Sequence, residues 1–580
     1  MELRMENLEY ARLLAETADL MEIAAEDGFR IRSYRNAADT LQGYPERVDD
    51  VMADPARKLT DIPGIGKGIA AILAEIKERG SFERRDELME KYPPTALEML
   101  KISGLGPKTI AQLIAHFRVT TLDDLERLCK EQKLRELPRM GAKLEEKILK
   151  GIASLRQSTG RFHINFATAV AEEFTAYLGE VEGIERAVAA GSLRRGRETV
   201  GDVDLLVTGP GAIAALDKFV KHPRVGEILG HGETKASAKV GIEGLQVDVR
   251  GVATESFGAA LLYFTGSKTH NVALRQLALK QGYTLNEYGL ARVEGGERVA
   301  GATEEEIYEA LGLAWIPPEL RENQGELDAA ASRTLPQLLE LSDMRGDAHM
   351  HTRESDGRFS LEEMAAAAAE RGYGYIAITD HSKALAMANG LDEARAIRFA
   401  EKVRTMDQSG LPVRVLSGLE CDIKRDGKMD LDNDALSQLD IVVASVHSHM
   451  NLESAEMTDR LLAAIENPHV KIMGHPTGRV LLHRDAYVYD FERIVTEAAR
   501  RGVAMEINAS PERLDLHAPL IRIAKARGCK FVISTDAHHV KHLANMRYGV
   551  TMARRGWLER DDVLNTRPVA EFLGSLRRNG

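Results

Sequence analysis

Seven short apolar runs after residue 344 constrain the fold of this chain more than any other sequence feature. They read RGDAHMH, YGYIAITDH, VRVLSGLE, IVVASVH, VKIMGH, VAMEIN and KFVISTDAH, with helical stretches between them. Near-continuous apolar runs indicate strands buried on both faces, and strands that alternate with helices form parallel sheets. Residues 344–580 are therefore expected to form a distorted (β/α)7 barrel of the TIM type.

Histidine and acidic residues lie where most of these runs end. In a βα barrel the carboxyl ends of the strands meet at one rim, so these side chains should face one another. A single histidine there is usually an ordinary core or surface residue, but nine ligand-type groups on one rim are hard to explain in that way. Imidazole and carboxylate without thiolate suit Zn²⁺, Mn²⁺ or Fe, and the number of groups suits two or three ions. The candidate ligands are His349, His351, Asp356, His381, Glu420, His447, His475, Asp536 and His538.

A pair of aspartates marks a second candidate metal site. Within AGSLRRGRETVGDVDLLV (190–207), Asp202 and Asp204 lie two positions apart on a predicted strand, which places both carboxylates on one face. Their charges repel unless a hard cation lies between them, and Mg²⁺ binds through few carboxylates plus substrate phosphate oxygens. Asp248, in LQVDVR, adds a third acid on a neighbouring strand. A solvated strand face is the alternative for the pair alone, but the preceding GS and RR favour a metal site.

The first 155 residues or so show apolar residues at spacings of three and four, which predicts an all-helical part. IPGIGKGIA (62–70) and ISGLGPKTIA (102–111) share an apolar-x-Gly-apolar-Gly core, and LPRMGAKLEEKI (137–148) is a weaker copy. The glycines allow a tight turn and leave backbone amides at a helix start, where a phosphate can accept them. A plain turn between helices is the alternative, which two good copies make less attractive.

Composition excludes several classes of protein. A chain of 580 residues is too long for one core, and 44% hydrophobic with 29% charged residues excludes collagen-like and wholly disordered chains. No run could cross a bilayer, and the three cysteines contain no CxxC pair, so no disulfide framework or zinc finger is expected. A net charge of −12 argues against nonspecific coating of nucleic acid, so phosphate binding must come from particular groups.

The segment 190–207 resembles the nucleotidyltransferase palm signature of family X DNA polymerases. The resemblance implies that two Mg²⁺ or Mn²⁺ ions bind Asp202, Asp204 and Asp248. LLYFTGSKTHNVALRQLA (261–278) resembles the nucleotide-selecting segment of the same family. Its implied nucleotide-binding residues are Tyr263 and Phe264 against the deoxyribose, Asn271 at the base edge and Lys268, and those of the palm are Gly191, Ser192, Arg195 and Gly201.

The glycine turns resemble helix-hairpin-helix motifs, and GFRIRSYRNAADTL (28–41) resembles the N-terminal domain of the same polymerases. These motifs grip the DNA backbone without reading sequence. Ile72 stands where relatives with lyase activity carry a Schiff-base lysine, so sugar-phosphate lyase chemistry is not expected. The implied DNA contacts are Arg30, Tyr34 and Lys67 at a 5′-phosphate, together with the hairpin glycines Gly64, Gly66, Gly104 and Gly106.

The pattern HMH…SDG…TDH…GLE…VHSH…GHP…TDAH resembles the polymerase-and-histidinol-phosphatase (PHP) phosphoesterases. The resemblance implies two or three Zn²⁺ or Mn²⁺ ions and the hydrolysis of a phosphoester. It assigns His349, His351, Glu420 and Asp536 to one ion, makes Glu420 a bridge to a second ion with His447 and His475, and gives Asp356, His381 and His538 to a third.

The order of these parts resembles a bacterial or archaeal family X DNA polymerase with a C-terminal PHP domain. That resemblance implies a template-directed, gap-filling repair polymerase with 3′→5′ exonuclease activity, and AP-endonuclease or 3′-end processing as further options. Gapped or primed DNA and dNTPs are the expected partners of a monomer in the cytoplasm, at the nucleoid, without membrane association. The expected domains are a helical DNA-binding domain (1–80), a helix-hairpin-helix subdomain (81–155), the palm (156–255), a nucleotide-selecting or thumb subdomain (256–318), a linker (319–343) and the PHP domain (344–580).

Two other classes of function stay open at this point. A small-molecule phosphatase fused to a nucleotidyltransferase would explain both metal sites, but it leaves the helix-hairpin-helix motifs without a purpose. A catalytically silent DNA-binding scaffold would explain those motifs, but it leaves the complete carboxylate triad and the complete ligand set without a purpose.

Overall fold

The computed structural model describes residues 7–43, 48–62, 64–102, 104–137, 140–158, 160–241, 243–408 and 412–576. Contacts divide the chain into two compact units, Met1–Thr159 and Gly160–Gly580. No helix within the described ranges is long and apolar enough to cross a membrane.

The regular elements of the first unit are all helices within its described residues, as the spacing of apolar residues predicts. Leu14, Leu73 and Leu113 are fully buried and belong to one core shared by its helices. The helices are α1 (Asn7–Ile23), α2 (Gly28–Gly43), α3 (Val48–Ala53), α4 (Lys67–Arg79), α5 (Glu83–Lys91), α6 (Thr95–Leu100), α7 (Pro107–Phe117), α8 (Leu122–Lys130) and α9 (Ala142–Ser158).

Each of the three glycine-containing turns of this unit contains the same type of backbone hydrogen bond. Gly64 and Gly104 have φ angles of 82° and 99°, in the left-handed region that favours glycine. Gly66 and Gly106 cap the starts of α4 and α7, and no atom lies within 4 Å of a Cβ built at either glycine. In each turn a backbone N–H donates to the carbonyl three residues earlier. The Ile65 N–H donates to the Ile62 carbonyl, that of Leu105 to Ile102, and that of Met140 to Leu137.

The second unit begins with a five-stranded sheet. Its strand order is β2-β4-β7-β6-β5, with β4 and β7 parallel, and the apolar side chains of Val203, Val247 and Phe174 pack in its core. The elements are β1 (Phe162–His163), α10 (Ile164–Gly179), β2 (Arg186–Ala189), α11 (Gly191–Arg194), β3 (Thr199–Val200), β4 (Asp202–Thr208), α12 (Ala212–Phe219), β5 (Val225–His231), β6 (Lys235–Val240) and β7 (Leu245–Val252).

A smaller helical part with a three-stranded sheet follows. Its core includes Leu262, Leu274, Tyr308 and Leu320, so the start of the expected linker 319–343 packs against the thumb core. The elements are α13 (Phe257–Thr265), α14 (Lys268–Lys280), β8 (Tyr283–Asn286), β9 (Gly289–Arg292), β10 (Arg298–Ala300), α15 (Glu304–Ala310) and α16 (Glu326–Ala331). The division of the chain into six domains stays a prediction.

The C-terminal part confirms the predicted parallel barrel. Seven strands pair in sequence order, each parallel to the next. A bridge between Met350 and Ala537 joins the last strand to the first, so the barrel is nearly closed. The elements are β11 (Gly346–Asp347), α17 (Leu361–Glu370), β12 (Tyr375–Ile378), α18 (Glu393–Gln408), β13 (Arg414–Asp422), α19 (Asn433–Leu436), β14 (Ile441–Ser445), α20 (Ser454–Glu466), β15 (Ile472–Met473), α21 (Phe491–Arg501), β16 (Ala504–Asn508), α22 (Ala518–Ala526), β17 (Phe531–Ser534), α23 (Met546–Arg555) and α24 (Val569–Ser575).

A buried ion cluster joins the palm to the thumb. The Glu304 carboxylate accepts two hydrogen bonds from Arg194, at 2.7 and 2.9 Å, and two from the fully buried Arg321, at 2.6 and 2.9 Å. Burial opposes ionisation of Glu304, but Arg194 and Arg321 outweigh it and lower the pKa of this carboxyl to about 2.

Glu304 should therefore contribute pH-dependent stability. Its folded-state pKa of about 2 lies below its ordinary value of 4.5, so the contribution is complete above pH 4.5 and is lost as the pH falls through 2. Glu304→Gln should lower the free energy of unfolding near neutral pH by on the order of 3 kcal/mol, and the gap to the parent should close as the pH falls from 4.5 towards 2.

Urea unfolding followed by tryptophan fluorescence measures this, because the Trp315 indole N–H donates to Glu304 at 3.2 Å. Glu456→Gln, which removes an exposed pair with Arg425, is the matched control and should cost less than about 1 kcal/mol. A gap between Glu304→Gln and the parent that stays constant across this pH range would contradict the assignment.

Candidate active sites

The three palm aspartates converge as the strand pattern predicts. Asp204 on β4 stands directly opposite Asp248 on β7, and Asp202 lies two residues before Asp204 at the start of β4. Burial, together with the charges of Asp202 and Asp248, raises the pKa of Asp204 to about 6. Three carboxylates of which one resists ionisation are typical of a site that holds divalent cations.

Three polar neighbours bind Asp248. The Lys235 ammonium on β6 forms an ion pair with it, the Gln246 amide donates at 3.0 Å, and the Ser237 side chain forms a further hydrogen bond. Burial opposes ionisation of Asp248, but these hydrogen bonds outweigh it and lower its pKa. Asp248 therefore keeps its charge to lower pH than Asp204, whose ionised form a nearby cation would favour.

The glycine at position 191 is required by the triad. A Cβ at Gly191, where φ is 65°, would lie 2.5 Å from Oδ2 of Asp204, so only glycine lets the chain pass this close to the carboxylate. The Ala190 N–H donates to the Asp204 carbonyl at 2.8 Å, and the Arg197 N–H donates to the Ser192 carbonyl at 3.0 Å. Gly201 directly precedes Asp202, so the implied triphosphate-binding glycines flank the triad in the fold.

The two arginines after Ser192 differ in their partners. Arg194 belongs to the buried Glu304 cluster, whereas Arg195 reaches the start of the thumb. The Arg195 guanidinium donates to the Thr265 carbonyl and, through Nε at 3.2 Å, to Glu322. Arg195 is thus held where palm and thumb meet.

The nucleotide-selecting segment is helical. Tyr263 and Phe264 lie on α13 with their rings in a T-shaped contact at 5.1 Å, and Arg250 lies over the Phe264 ring at 4.4 Å. The Asn271 amide donates to the Tyr263 carbonyl at 2.7 Å, while its buried Oδ1 has no hydrogen-bond partner among the described residues. Lys268 is exposed at the first position of α14.

The barrel rim brings together all nine residues predicted from the sequence. In the first implied set, Nε2 of His351 lies 3.1 Å from Asp536 and 3.8 Å from Oε2 of Glu420. His349 approaches the same two carboxylates at 3.8 and 3.5 Å. Four ligand-type side chains therefore face a common point.

Glu420 presents its two oxygens to different histidines. Oε2 faces His349, His351 and His381, whereas Oε1 lies 3.3 Å from His447 and 2.8 Å from His475. A carboxylate with this arrangement can bridge two cations. Burial opposes its ionisation, but the surrounding histidines hold the pKa of Glu420 well below its ordinary value.

The third implied set also lies together, with one addition. Asp356 is 3.5 Å from Nε2 of His381 and 3.5 Å from Nε2 of His538. His381 turns its other nitrogen, Nδ1, to Glu420 at 2.8 Å, so it stands between this set and the bridging carboxylate. Nδ1 of His351 is 3.9 Å from Asp356 as well.

The chemistry of the rim fits metal ions. Three buried imidazole nitrogens of the rim have no hydrogen-bond partner within the described part of the chain: Nε2 of His349 and Nδ1 of His351 and His475. Burial and the neighbouring histidines His538 and His381 lower the pKa of His351 to about 3, so its ring is neutral and offers a lone pair. Unpaired buried nitrogens beside carboxylates are the donor set that a cation would satisfy.

Sequence reasoning missed two carboxylates that orient the ligands. Glu506 on β16 lies 2.7 Å from Nδ1 of His349 and accepts the backbone N–H of His475. Asp422 lies 3.3 Å from Nδ1 of His447 and also accepts a hydrogen bond from the backbone N–H of His447 at 3.2 Å. Such partners fix the ring orientation of a metal-binding histidine. Asp422 stands two residues after Glu420 on one strand face, and VAMEIN carries Glu506 as an acid inside an apolar run, so both had a signal in the sequence.

The three candidate phosphate-binding residues of the N-terminal unit differ in exposure. Tyr34 is 3% exposed within the helical core, where burial raises its pKa and the nearby Arg30 guanidinium opposes that rise. Arg30 and Lys67 are exposed, and Lys67 is the first residue of α4. Ile72 packs against the core of this unit.

Family models match four parts of the chain. A helix-hairpin-helix domain model matches residues 5–82, and a SAM-like helix-hairpin-helix tandem matches 96–154. The DNA polymerase beta thumb matches 260–322, and the PHP domain matches 347–510. Together with the two clusters, these matches define a class of protein in which a polymerase-beta-type core precedes a PHP barrel.

Full-length similarity then gives the family. The chain is 37% identical over 576 residues to the "DNA polymerase/3'-5' exonuclease PolX" of Bacillus subtilis, covering 99% of this chain and 100% of that protein. This chain belongs to the family X DNA polymerases with a C-terminal PHP domain. It is also 26% identical to the DNA polymerase lambda of Rattus norvegicus, over 51% of this chain and 53% of that one. A "Probable phosphatase" of Shewanella oneidensis is 31% identical over 39% of this chain and 90% of its own length.

Glu420→Ala should remove more metal from the barrel than any other single ligand change. Its carboxylate faces histidines of every implied set, so its loss leaves two cations without a shared anion. His538→Ala should mainly remove the ion of the third set. Elemental analysis of desalted protein, loaded with Zn²⁺ or with Mn²⁺, measures the metal per chain.

His231→Ala is the control, because His231 pairs with Asp217 in the palm at 2.9 Å and has no place on the rim. A Glu420→Ala protein that retains the parent's full metal content would refute the bridging role.

Proposed function

We propose that this protein is a template-directed DNA polymerase that fills short gaps during DNA repair and also removes nucleotides from 3′ ends through its barrel. The observation that carries the proposal is the presence of two complete ligand clusters in one chain whose full-length relative is named for both activities. The helix-hairpin-helix unit supports DNA as the substrate.

In the palm, we assign Asp202, Asp204 and Asp248 to two Mg²⁺ or Mn²⁺ ions. When bound, such cations supply the charge that activates a primer 3′-hydroxyl and stabilises the departing pyrophosphate. The protein's part is positioning: Gly191 lets the backbone approach the triad, and we assign the loop from Ser192 to Gly201 to the triphosphate. Tyr263 and Phe264 would then pack against the deoxyribose, with Asn271 at the base edge.

On the barrel rim, we assign the nine ligands to two or three Zn²⁺ or Mn²⁺ ions. When bound, these cations supply an activated water and neutralise the oxygen that leaves the phosphodiester. Glu420 would supply the carboxylate that these histidines share, and Glu506 and Asp422 fix the rings of His349 and His447.

A second candidate activity for the rim is removal of a 3′-phosphate. The Shewanella oneidensis relative, which matches 39% of this chain and is named a probable phosphatase, favours it. The comparison of a 3′-phosphate with a 3′-hydroxyl end on the same DNA separates phosphatase from exonuclease activity.

The two activities should be separable by point substitution. Asp204→Ala should lower primer extension on gapped DNA by at least a thousandfold, because loss of a carboxylate that holds the catalytic ions removes several kcal/mol of transition-state stabilisation. Nucleotide release from a 3′ end should remain. His349→Ala should show the reverse pattern and is the matched control.

Both activities are measured on one labelled gapped substrate, with and without dNTPs. Extension by Asp204→Ala within about tenfold of the parent would show that the triad is not the catalytic centre. Loss of both activities in either variant would contradict the assignment of two independent sites.

DNA with a 5′-phosphate at the gap should bind more tightly than the same DNA without it. The exposed Arg30 guanidinium beside Tyr34 supplies the charge, and one charge-assisted contact is worth about tenfold in affinity. Arg30→Ala should therefore remove most of the difference between the two DNAs, as measured by fluorescence anisotropy.

Arg79→Ala serves as the control, because Arg79 pairs with Glu75 and Asp86 at the other end of α4. Equal affinities of the parent for the two DNAs would show that Arg30, Tyr34 and Lys67 form no phosphate pocket.

A further inference from the structure

Helix α23, which follows the last barrel strand, packs against the palm loop assigned to the triphosphate. Gly196, with a φ of 67°, closes the turn after Arg195. A Cβ at Gly196 would lie 2.1 Å from Cγ2 of Thr551 on α23. The barrel helix therefore approaches the palm turn so closely that a side chain at position 196 cannot fit.

Arg555, the last residue of α23, holds the same turn through hydrogen bonds. Its Nη1 donates to the Arg195 carbonyl at 2.6 Å, and both Nη atoms donate to Oε1 of Glu322 at 3.2 Å. Arg555 is only 7% exposed, so these bonds form away from bulk solvent and are stronger than surface pairs.

Glu322 connects Arg555 to the side chain of Arg195. Oε1 of Glu322, which accepts from Arg555, also accepts a hydrogen bond from Nε of Arg195 at 3.2 Å. The Arg197 guanidinium lies 3.7 Å from the same oxygen. Burial opposes ionisation of Glu322, but Arg555, Arg195 and Arg197 outweigh it and lower its pKa. The backbone carbonyl and the guanidinium of Arg195 are therefore both fixed by one largely buried network that begins in the barrel domain.

We propose that Arg555 is a positioning residue for the polymerase reaction: from the barrel domain, it fixes Arg195 and the turn at Gly196 in the shape that binds the incoming nucleoside triphosphate. This inference rests on the proposed polymerase function. It gives the barrel domain a part in nucleotide affinity that is independent of its own hydrolytic chemistry.

A general effect on the contact between barrel and palm is the competing explanation. Arg547 provides the comparison, because it lies on the same helix and pairs with Glu172 of α10 in the palm at 2.9 Å. That pair is exposed, with 42% and 61% of the two side chains accessible, and does not involve the Gly196 turn. A general loosening of the contact would affect both arginine variants alike.

The experiment uses the full-length protein and single-nucleotide gap filling with a dNTP titration. Arg555→Met keeps the side-chain length but removes the donors, and it should raise the KM for dNTP about tenfold with kcat within about twofold. Arg555→Lys should restore part of the affinity. Arg547→Met should leave KM within about twofold, and 3′-end hydrolysis should be unchanged in all three variants.

Glu322→Gln tests the same network without a change in side-chain volume, so it decides the matter if Arg555→Met does not fold. It should raise KM as well, and the double variant should be no worse than the more affected single variant, because both changes remove one network. Thermal melting of each variant verifies folding.

The outcomes separate the two proposals. A parent that extends primers while Arg555→Met and Glu322→Gln keep the parent's KM overturns the positioning role and leaves the proposed polymerase function in place. An equal rise in KM for Arg547→Met also overturns it, in favour of a general contact effect. A parent that adds no nucleotide overturns the polymerase function, and the positioning role falls with it.

Discussion

A buried carboxylate surrounded by histidines is the interaction on which the barrel rim depends. Glu420 is 1% exposed, and a lone buried anion would cost several kcal/mol if nothing compensated it. His349, His381 and His447 supply that compensation, and they come from three different strand ends. The nearly closed parallel barrel is what lets distant parts of the sequence reach one carboxylate, since it brings the carboxyl ends of its strands to a common rim.

The palm also brings carboxylates together, but no histidine in the described part of the chain pairs with them. Asp202, Asp204 and Asp248 are like charges on adjacent strands, and among the described residues Asp248 forms an ion pair with Lys235. The backbone adapts to this crowding through Gly191, whose missing side chain leaves room for the Asp204 carboxylate. The rim therefore surrounds its carboxylates with imidazole donors, whereas the palm sets its carboxylates beside one another, and both arrangements fit bound cations.

Local patterns were enough to predict the strands, and to predict that the three palm aspartates and the nine rim residues would lie close together. The apolar runs of the barrel appear in order as β11 to β17, and the alternation in DVDLLV and LQVDVR places Asp204 opposite Asp248. Partners far apart in sequence were not predictable in the same way. Glu304 joins Arg194 and Arg321, and Arg555 joins Glu322, because the tertiary packing of palm, thumb and barrel brings them together. The same limit applies to Tyr34, whose burial follows from the packing of α2 and not from its own segment.

Contacts between barrel and palm bear on how the two activities can be studied separately. Arg479 of the barrel pairs with Glu198 of the palm at 2.7 Å and donates to the Arg513 carbonyl at 2.9 Å. The Arg513 side chain lies 3.6 Å from the rim carboxylate Asp536, and the carbonyl of Pro511, two residues before Arg513, lies 3.1 Å from a ring nitrogen of His163. Removal of the barrel would leave the partly buried Glu198 carboxylate without its cation and the Arg195 carbonyl without its donor, and unpaired buried groups are destabilising. Loss of polymerisation after truncation would therefore not show that the rim takes part in it. Substitution of Glu420 or Asp204 removes one cluster and keeps these contacts, so point variants are the sounder way to assign each activity to its site.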